Sequence, residues 1–110
     1  MELIRCETRD VFLQGFGLAP KSQDACLLFN ILHCEVPSQV LEEAARIVRS
    51  GGSIHVIHWR YDAATPRGPN MKIRPRPEQI LEWGSKTGLT AGSNPVLDLP
   101  PVHWADRFGA

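Results

Sequence analysis

The sequence predicts an α/β fold in which parallel strands carry helices and the chain ends in an antiparallel hairpin. Residues 24–30, DACLLFN, form a nearly continuous apolar run, which is typical of a strand covered on both faces in a parallel sheet. Residues 38–49 carry apolar side chains at helical spacing, and residues 53–59, SIHVIHW, form a second apolar run. A strand, a helix and a strand in this order make one βαβ unit.

The central helix is predicted over residues 38–49, with one apolar and one charged face. Pro37 lies at its start, where the missing N–H of proline removes no helical hydrogen bond. Gly51 and Gly52 follow it, and glycine commonly ends helices because it adopts left-handed backbone geometry. The apolar face consists of Val40, Leu41, Ala44, Ala45, Ile47 and Val48. The residues expected to contact the sheet are Val40, Leu41, Ala44 and Val48.

The C-terminal half is predicted to add a second helix and two strands. Residues 60–76 form a long polar loop, and a loop of this length is uncommon in a small domain. The second helix covers residues 77–88, with Gly88 as its cap. Residues 89–99 and 102–108 are predicted to form an antiparallel pair of strands.

The N-terminal residues add one short predicted strand, ELIRC at residues 2–6, so the element order is β-β-α-β-α-β-β. This order favours a single domain, residues 1–110, built as a three-layer parallel sheet with a hairpin at its edge. The residues expected to be most buried are Leu28, Ile54, Val56 and Ile57.

The composition argues against several classes of partner and location. The 110 residues include 12 basic and 12 acidic side chains, a balance that predicts no general attraction to nucleic acid or to an anionic membrane. No apolar run reaches the roughly 18 residues of a membrane-spanning helix. The N-terminal MELIRCETRD lacks the pattern of a signal peptide, so we expect a cytoplasmic protein.

Several single residues invite a chemical role but fit a structural one better. His55 and His58 lie three positions apart in a strand, so they point to opposite faces and are not expected to share a metal ion. One of them is expected to be a hydrogen-bonded core histidine. Cys34 is a less favoured candidate for a reactive thiol, because such a thiol needs a lowered pKa. The loop arginines are expected to be solvated, with an anion-binding surface as the alternative; they are Arg60, Arg67, Arg74 and Arg76.

Three phrases, LLFNILH, LEEAARIVRSGG and HVIHW, together resemble the second half of a class I S-adenosylmethionine (SAM) dependent methyltransferase. Later segments, TPRGP, IRPRP and DLPPVHW, resemble the substrate-side segments of one bacterial subgroup of that family. The resemblance implies a truncated Rossmann-like methyltransferase sheet that starts at the third strand of the family's seven.

The resemblance also implies a set of cofactor contacts. Asp10 and Val11 follow the first predicted strand, at a step that lies against the adenine in the family. Phe29 and Asn30 end the next strand, near the methionine portion of SAM. Further along the same wall lie Leu32 and His33. The alternatives are that Asp10 is an ordinary turn residue and that Asn30 and His33 cap local backbone. No catalytic residue and no metal ligand is assigned.

The departure from the family is as informative as the likeness. The glycine-rich turn that approaches the methionine end of SAM is not found, nor is the acidic residue that holds the ribose hydroxyls. The sequence Gly15-Phe16-Gly17 cannot replace that turn, because it lacks a third glycine and opens no evident helix. We therefore expect weak or absent SAM binding and no methyl transfer by this chain alone.

Three functions follow as alternatives: a methyltransferase-like protein inactive by itself, a non-catalytic dimeric or partner-binding module, and one half of a split methyltransferase. In the family, the first and second strands lie between the third and fourth, so residues 24–30 would have one open edge. Open edges template association. We expect a homodimer through residues 2–16 and 24–33, with a separately encoded N-terminal half as the alternative partner.

Overall fold

The computed structural model describes residues 4, 6–34, 36–62, 64–65, 68–99 and 103–109, with only the backbone described over 93–99. Three helices and four strands lie within this part of the chain. The elements are α1 (Val11–Gln14), β1 (Gln23–Phe29), α2 (Pro37–Ile47), β2 (Val48–Trp59), α3 (Pro77–Lys86), β3 (Thr90–Leu99) and β4 (His103–Gly109).

The four strands form one sheet in the order β1-β2-β4-β3. β1 and β2 are parallel, with Cys26 opposite Ile54 and Leu28 opposite Val56. β4 is antiparallel to both β2 and β3. The predicted α/β fold, its parallel pair and its C-terminal hairpin are therefore confirmed. The parallel pairing of β1 and β2 follows from the helix that connects them, and the antiparallel pairing of β3 and β4 follows from their short connection.

Both α2 and α3 pack on the same face of the sheet, where their buried residues join one core with Leu28, Ile54 and Phe108. The opposite face is largely open: Leu27 is 59% exposed and Phe29 is 53% exposed. The expectation that both faces of β1 are covered, in three layers, is therefore wrong for the described residues. A continuous apolar run reports the composition of a strand, but the docking of the helices decides which of its faces is covered.

The helix face predicted to pack on the sheet is confirmed, whereas its C-terminal boundary is wrong. α2 ends at Ile47, and Val48 is already extended and pairs with Gln23 of β1. Gly51 does have a left-handed φ of 84°, but it lies within an irregular part of β2. At Gly52 a Cβ atom would lie 2.6 Å from the carbonyl oxygen of Asp24, so glycine permits a close approach of β1 rather than ending the helix.

The second helix is confirmed together with its cap. Gly88 has a φ of 86° and donates its N–H to the Ser85 carbonyl at 3.1 Å, while Leu89 donates to the Gly84 carbonyl at 2.9 Å. These two bonds make a Schellman motif, which uses glycine because the left-handed conformation penalises a side chain. Ile57, expected to be fully buried, is only half-buried because it lies on the open face of the sheet.

The predicted strand over residues 2–6 falls largely outside the described residues, and Ile4 and Cys6 have irregular backbone. Between them and β1, the short helix α1 and a turn lead to the sheet. Among the described residues, no helix is long and apolar enough to cross a bilayer.

Candidate functional site

A cleft of about 810 Å³ runs beside β1, between that strand and the segment of residues 7–18. Its walls are largely apolar on the strand side, where Ala25, Leu27 and Phe29 face it. Across the cleft, the segment of residues 7–18 contributes Glu7, Arg9, Val11, Phe16, Gly17 and Leu18. The buried residues Cys26, Leu28 and Ile47 also line it, so the cleft runs along the outer edge of the sheet and borders the covered core.

The backbone of β1 also faces this cleft. The N–H of Asn30 donates to the Ile57 carbonyl at 2.8 Å, which shows that the peptide groups of even-numbered residues point towards β2. In a parallel strand the direction alternates with each residue, so Ala25, Leu27 and Phe29 direct their N–H and C=O groups away from β2. No described strand pairs with these groups.

The turn of Gly15, Phe16 and Gly17 is attached to α2. The N–H of Phe16 donates to Oε1 of Glu43 at 3.0 Å, and the guanidinium of Arg46 hydrogen-bonds both carboxylate oxygens of Glu43. The hydrogen bond from Arg46 holds the pKa of Glu43 at about 2, well below its usual range. This turn amide therefore binds a carboxylate of the protein itself.

Asp10 and Val11 lie at α1 with different surroundings. Oδ1 of Asp10 accepts the N–H groups of Phe12 at 3.0 Å and Leu13 at 3.3 Å, so Asp10 is the N-cap of α1. Val11 and Phe29 both line the cleft. Of the six residues expected to contact a cofactor, the structure places Val11 and Phe29 in the same cleft.

The remaining three predicted contacts follow β1. Asn30 is exposed and has a left-handed φ of 55° at the carboxyl end of the strand. The side chain of Leu32 is only 1% exposed and belongs to the core. His33 is half-buried, and its ring lies 5.5 Å from that of His58 in an edge arrangement. None of these three residues is among those that line the cleft, and their assignment to a cofactor stays a prediction.

Two buried polar side chains lie under the helices, on the covered face of the sheet. His58 is fully buried, and its Nδ1 accepts the N–H of Trp59 at 3.0 Å. Burial chiefly, with the nearby His33, lowers the pKa of His58 to about 4. The prediction of a hydrogen-bonded core histidine is confirmed. Asp106 is 1% exposed, and burial, with the nearby Glu78, raises its pKa to about 7.

Asp106 was not singled out from the sequence, although its position in the strand pattern indicates that its side chain is buried. It alternates with Trp104 and Phe108 in a strand, so the period of two places a carboxylate on the apolar face. Arg74 was expected to be solvated but is only 6% exposed. Its guanidinium donates to the carbonyls of Arg60 at 2.8 Å and Pro69 at 2.7 Å, and so organises the loop before α3.

Cys26 and Cys34 show no sign of nucleophilic activation. Burial chiefly raises the pKa of the half-buried Cys34 and raises that of Cys26 to about 11, which disfavours both thiolates. All three cysteines are free. Within the described part of the chain, no three His, Cys, Asp or Glu side chains converge as a metal-ligand set. His55 and His58 do face opposite sides of the sheet.

No protein-family model and no curated protein sequence matches this chain. Solved structures do match it. A SAM-dependent methyltransferase from Aquifex aeolicus has a TM-score of 0.72 at 16% identity, covering 83% of this chain and 47% of that one. A putative type 11 methyltransferase from Sulfolobus solfataricus has a TM-score of 0.69 at 24% identity, with coverages of 84% and 52%.

A third match is a SAM-dependent methyltransferase, possible histamine N-methyltransferase, from Thermotoga maritima. It has a TM-score of 0.63 at 18% identity, covering 87% of this chain and 60% of that one. This chain has part of the fold of a SAM-dependent methyltransferase. The chain spans about half the length of the first two structures that it matches. Because one fold hosts many activities, the function of this chain has to be inferred from its site and not from its fold.

The described residues of this methyltransferase-like fold fit SAM only in part. The cleft beside β1 has an apolar wall and sufficient volume for a small ligand. However, the Phe16 amide of the glycine turn is bound by Glu43, and the Asp10 carboxylate caps α1. The Phe16 amide and Oδ1 of Asp10 are thus engaged within the chain, and the sequence has neither the glycine-rich turn nor the ribose-binding acid that the family uses. The described residues do not make a complete cradle for the cofactor.

Proposed function

We propose that this chain is a methyltransferase-like protein that transfers no methyl group by itself and that pairs with a second polypeptide along the open edge of β1. Its proposed setting is the cytoplasm, where its three free cysteines would stay reduced. The fold supports the likeness to SAM-dependent methyltransferases. The incomplete set of cofactor contacts among the described residues supports the absence of independent activity.

The observation that carries the proposal is that the family's glycine-rich turn is not found in the sequence, while the turn of Gly15, Phe16 and Gly17, which cannot replace it, is bound to α2. Methyl transfer requires that the electrophilic methyl group be held in line with a nucleophile, and most of the rate gain comes from that positioning. Here the turn amide of Phe16 is bound by Glu43, which is itself held by Arg46. A ligand that used this amide would have to displace Glu43, so the turn does not supply the missing contact.

Calorimetric titration with SAM and with its demethylated product tests this part of the proposal. We expect either no measurable heat or a dissociation constant near the millimolar range. A millimolar constant corresponds to a binding free energy of about −4 kcal/mol. A Glu43→Gln variant weakens the hydrogen bond from the Phe16 amide, and titrating it with SAM shows whether that contact affects SAM binding. A low-micromolar dissociation constant for the wild-type chain would contradict the proposal.

The partner proposed first is a second copy of this chain. Among the described residues, no strand pairs with the outward backbone groups of Ala25, Leu27 and Phe29, and the last two side chains are more than half exposed. An apolar edge of this kind favours strand-to-strand association. We expect a dimer through residues 2–16 and 24–33 that buries more than about 1,000 Å² in total, the size of a specific interface.

Sedimentation velocity at micromolar concentrations tests the dimer. Leu27→Lys places a charge on the edge and should give a monomer, whereas Ser85→Lys adds the same charge to the exposed side of α3 and should leave the dimer intact. A wild-type monomer, or equal behaviour of the two variants, would exclude this surface as a dimer interface.

A separately encoded N-terminal half is the second candidate partner, favoured by the cleft between β1 and residues 7–18. Such a partner would supply both a neighbouring strand and a glycine-rich turn. It would be supported if a polypeptide with that turn restored micromolar SAM binding and if Leu27→Lys abolished the effect.

A further inference from the structure

A carboxylic acid without a hydrogen-bond partner lies beneath α3. Asp106 of β4 is 1% exposed, and neither of its carboxyl oxygens has a partner in the structure. A buried charge without a partner costs several kcal/mol in proteins, whereas the protonated acid loses much less on burial. The closed arrangement of α3 over β4 therefore favours the neutral form of Asp106.

The charged and titratable groups around Asp106 come from every neighbouring element. Glu78 of α3 is a second carboxylate near Asp106 and opposes its ionisation. His58 of β2 lies on the same face of the sheet as Asp106 and is opposite Trp104. Its Nε2 has no hydrogen-bond partner among the described residues. In β3, Asp98 is opposite Trp104 in the register. The remaining groups act on His58 and are His33, Arg74 and His103.

These groups leave Asp106 without a compensating positive charge. Burial chiefly opposes protonation of His58, and His33, Arg74 and His103 add to its effect. Since His58 is held neutral, it does not form an ion pair with Asp106. Loss of the Asp106 proton would thus leave a buried anion near Glu78 that no described side chain stabilises, so that it would need water.

α3 is the element whose movement would admit that water. The helix lies against β4 at very close range, because a Cβ atom on Gly84 would be 2.4 Å from Cε1 of Phe108. Ile80 is fully buried on the same helix. β4 itself is held on both sides by β2 and β3, so a change at Asp106 is relieved at the helix more readily than in the sheet.

We propose that ionisation of Asp106 controls the docking of α3 on β4: the helix is closed while Asp106 is protonated and opens when its proton passes to solvent. The dependence on pH follows from the two states. Asp106 has an ordinary pKa of 3.8 when hydrated and about 7 when buried, so closure is favoured below pH 3.8 and is lost as pH rises through 7. His58 has the opposite dependence between pH 6.5 and 4.

Hydrogen–deuterium exchange measured by mass spectrometry tests this proposal. Protection of peptides within residues 77–89 would be followed from pH 5 to 8 after correction for intrinsic exchange, with residues 24–29 as the reference. The opening constant of the wild type divided by that of Asp106→Asn should rise by up to about 100-fold from pH 5 to pH 7 and then level off. Taking this ratio cancels the contribution of His58. A constant ratio, or equal opening of residues 24–29, would overturn the proposal.

Two surface variants keep the test decisive if Asp106→Asn does not fold. Glu78→Gln removes the carboxylate that opposes ionisation of Asp106. It should therefore lower the pH at which the opening constant stops rising, which is the upper limit of the pH dependence. Glu82→Gln changes the same residue type one turn along α3, where Glu82 pairs with Lys86 at 3.1 Å, and should leave that limit unchanged. Equal profiles for both variants would show that Asp106 does not control α3.

Discussion

Replacing Gly84 by alanine should destabilise the protein although Gly84 lies inside a helix. A Cβ atom at this position would lie 2.4 Å from Cε1 and 2.7 Å from Cζ of Phe108. Carbon atoms in ordinary contact are about 3.5–4.0 Å apart, so α3 or the ring must move by about 1 Å. Phe108 is 1% exposed and lies opposite Ile54 in β2, which leaves the ring little space.

The expected loss is about 2 kcal/mol of unfolding free energy. Overpacking a core costs about 1–3 kcal/mol, and the required displacement places Gly84→Ala towards the upper end. Alanine recovers about 1 kcal/mol through its higher helix propensity. For a chain of this length, the net loss corresponds to a Tm lower by about 8 °C or somewhat more.

Urea denaturation of the wild type and three variants measures this effect. Ser85→Ala, at the next and exposed position, reports helix propensity alone and should be stabilising by about 0.5 kcal/mol. Phe108→Leu shortens the opposing side chain, so it should cost less in the Gly84→Ala background than in the wild type. If Gly84→Ala is as stabilising as Ser85→Ala, the close approach of α3 to β4 is refuted.

Three further predictions concern the cap of α3, the loop before it and the buried histidine. Gly88→Ala should cost about 1–2 kcal/mol in urea denaturation, because Gly88 has a φ of 86° and no nearby atom would clash with the new methyl group. Arg74→Lys should make residues 60–74 more sensitive to limited proteolysis, since lysine cannot donate to the Arg60 and Pro69 carbonyls together; an unchanged cleavage rate would contradict this role. In Asp106→Asn, the lowered pKa of His58 stabilises the protein above pH 6.5, and about 3 kcal/mol of that stability should be lost as pH falls to 4. Thermal denaturation across this range should show no such loss once His58→Asn is added.

The sequence by itself determined the elements whose residues interact mainly with their own neighbours. The apolar runs that became β1 and β2, and the helical spacing of α2, were all predicted from periodicity. The left-handed cap at Gly88 was also predicted, because glycine is the residue that tolerates this geometry. The parallel pairing followed from the helix between the two strands. Each of these features depends on a local pattern or on the length of a connection.

Only the tertiary structure decided which of these elements meet. Leu27 and Leu28 are adjacent residues of the same type, but Leu28 lies under the helices and Leu27 is exposed on the open face, because both helices dock on one side. Arg74 is polar in a polar loop, yet the fold closes that loop around its guanidinium. The pKa of Asp106 is raised chiefly by burial and then by Glu78, which is 28 positions away in the chain and is brought near it by the docking of α3. Burial and long-range charge are properties of the assembled chain, so a local pattern could not predict them.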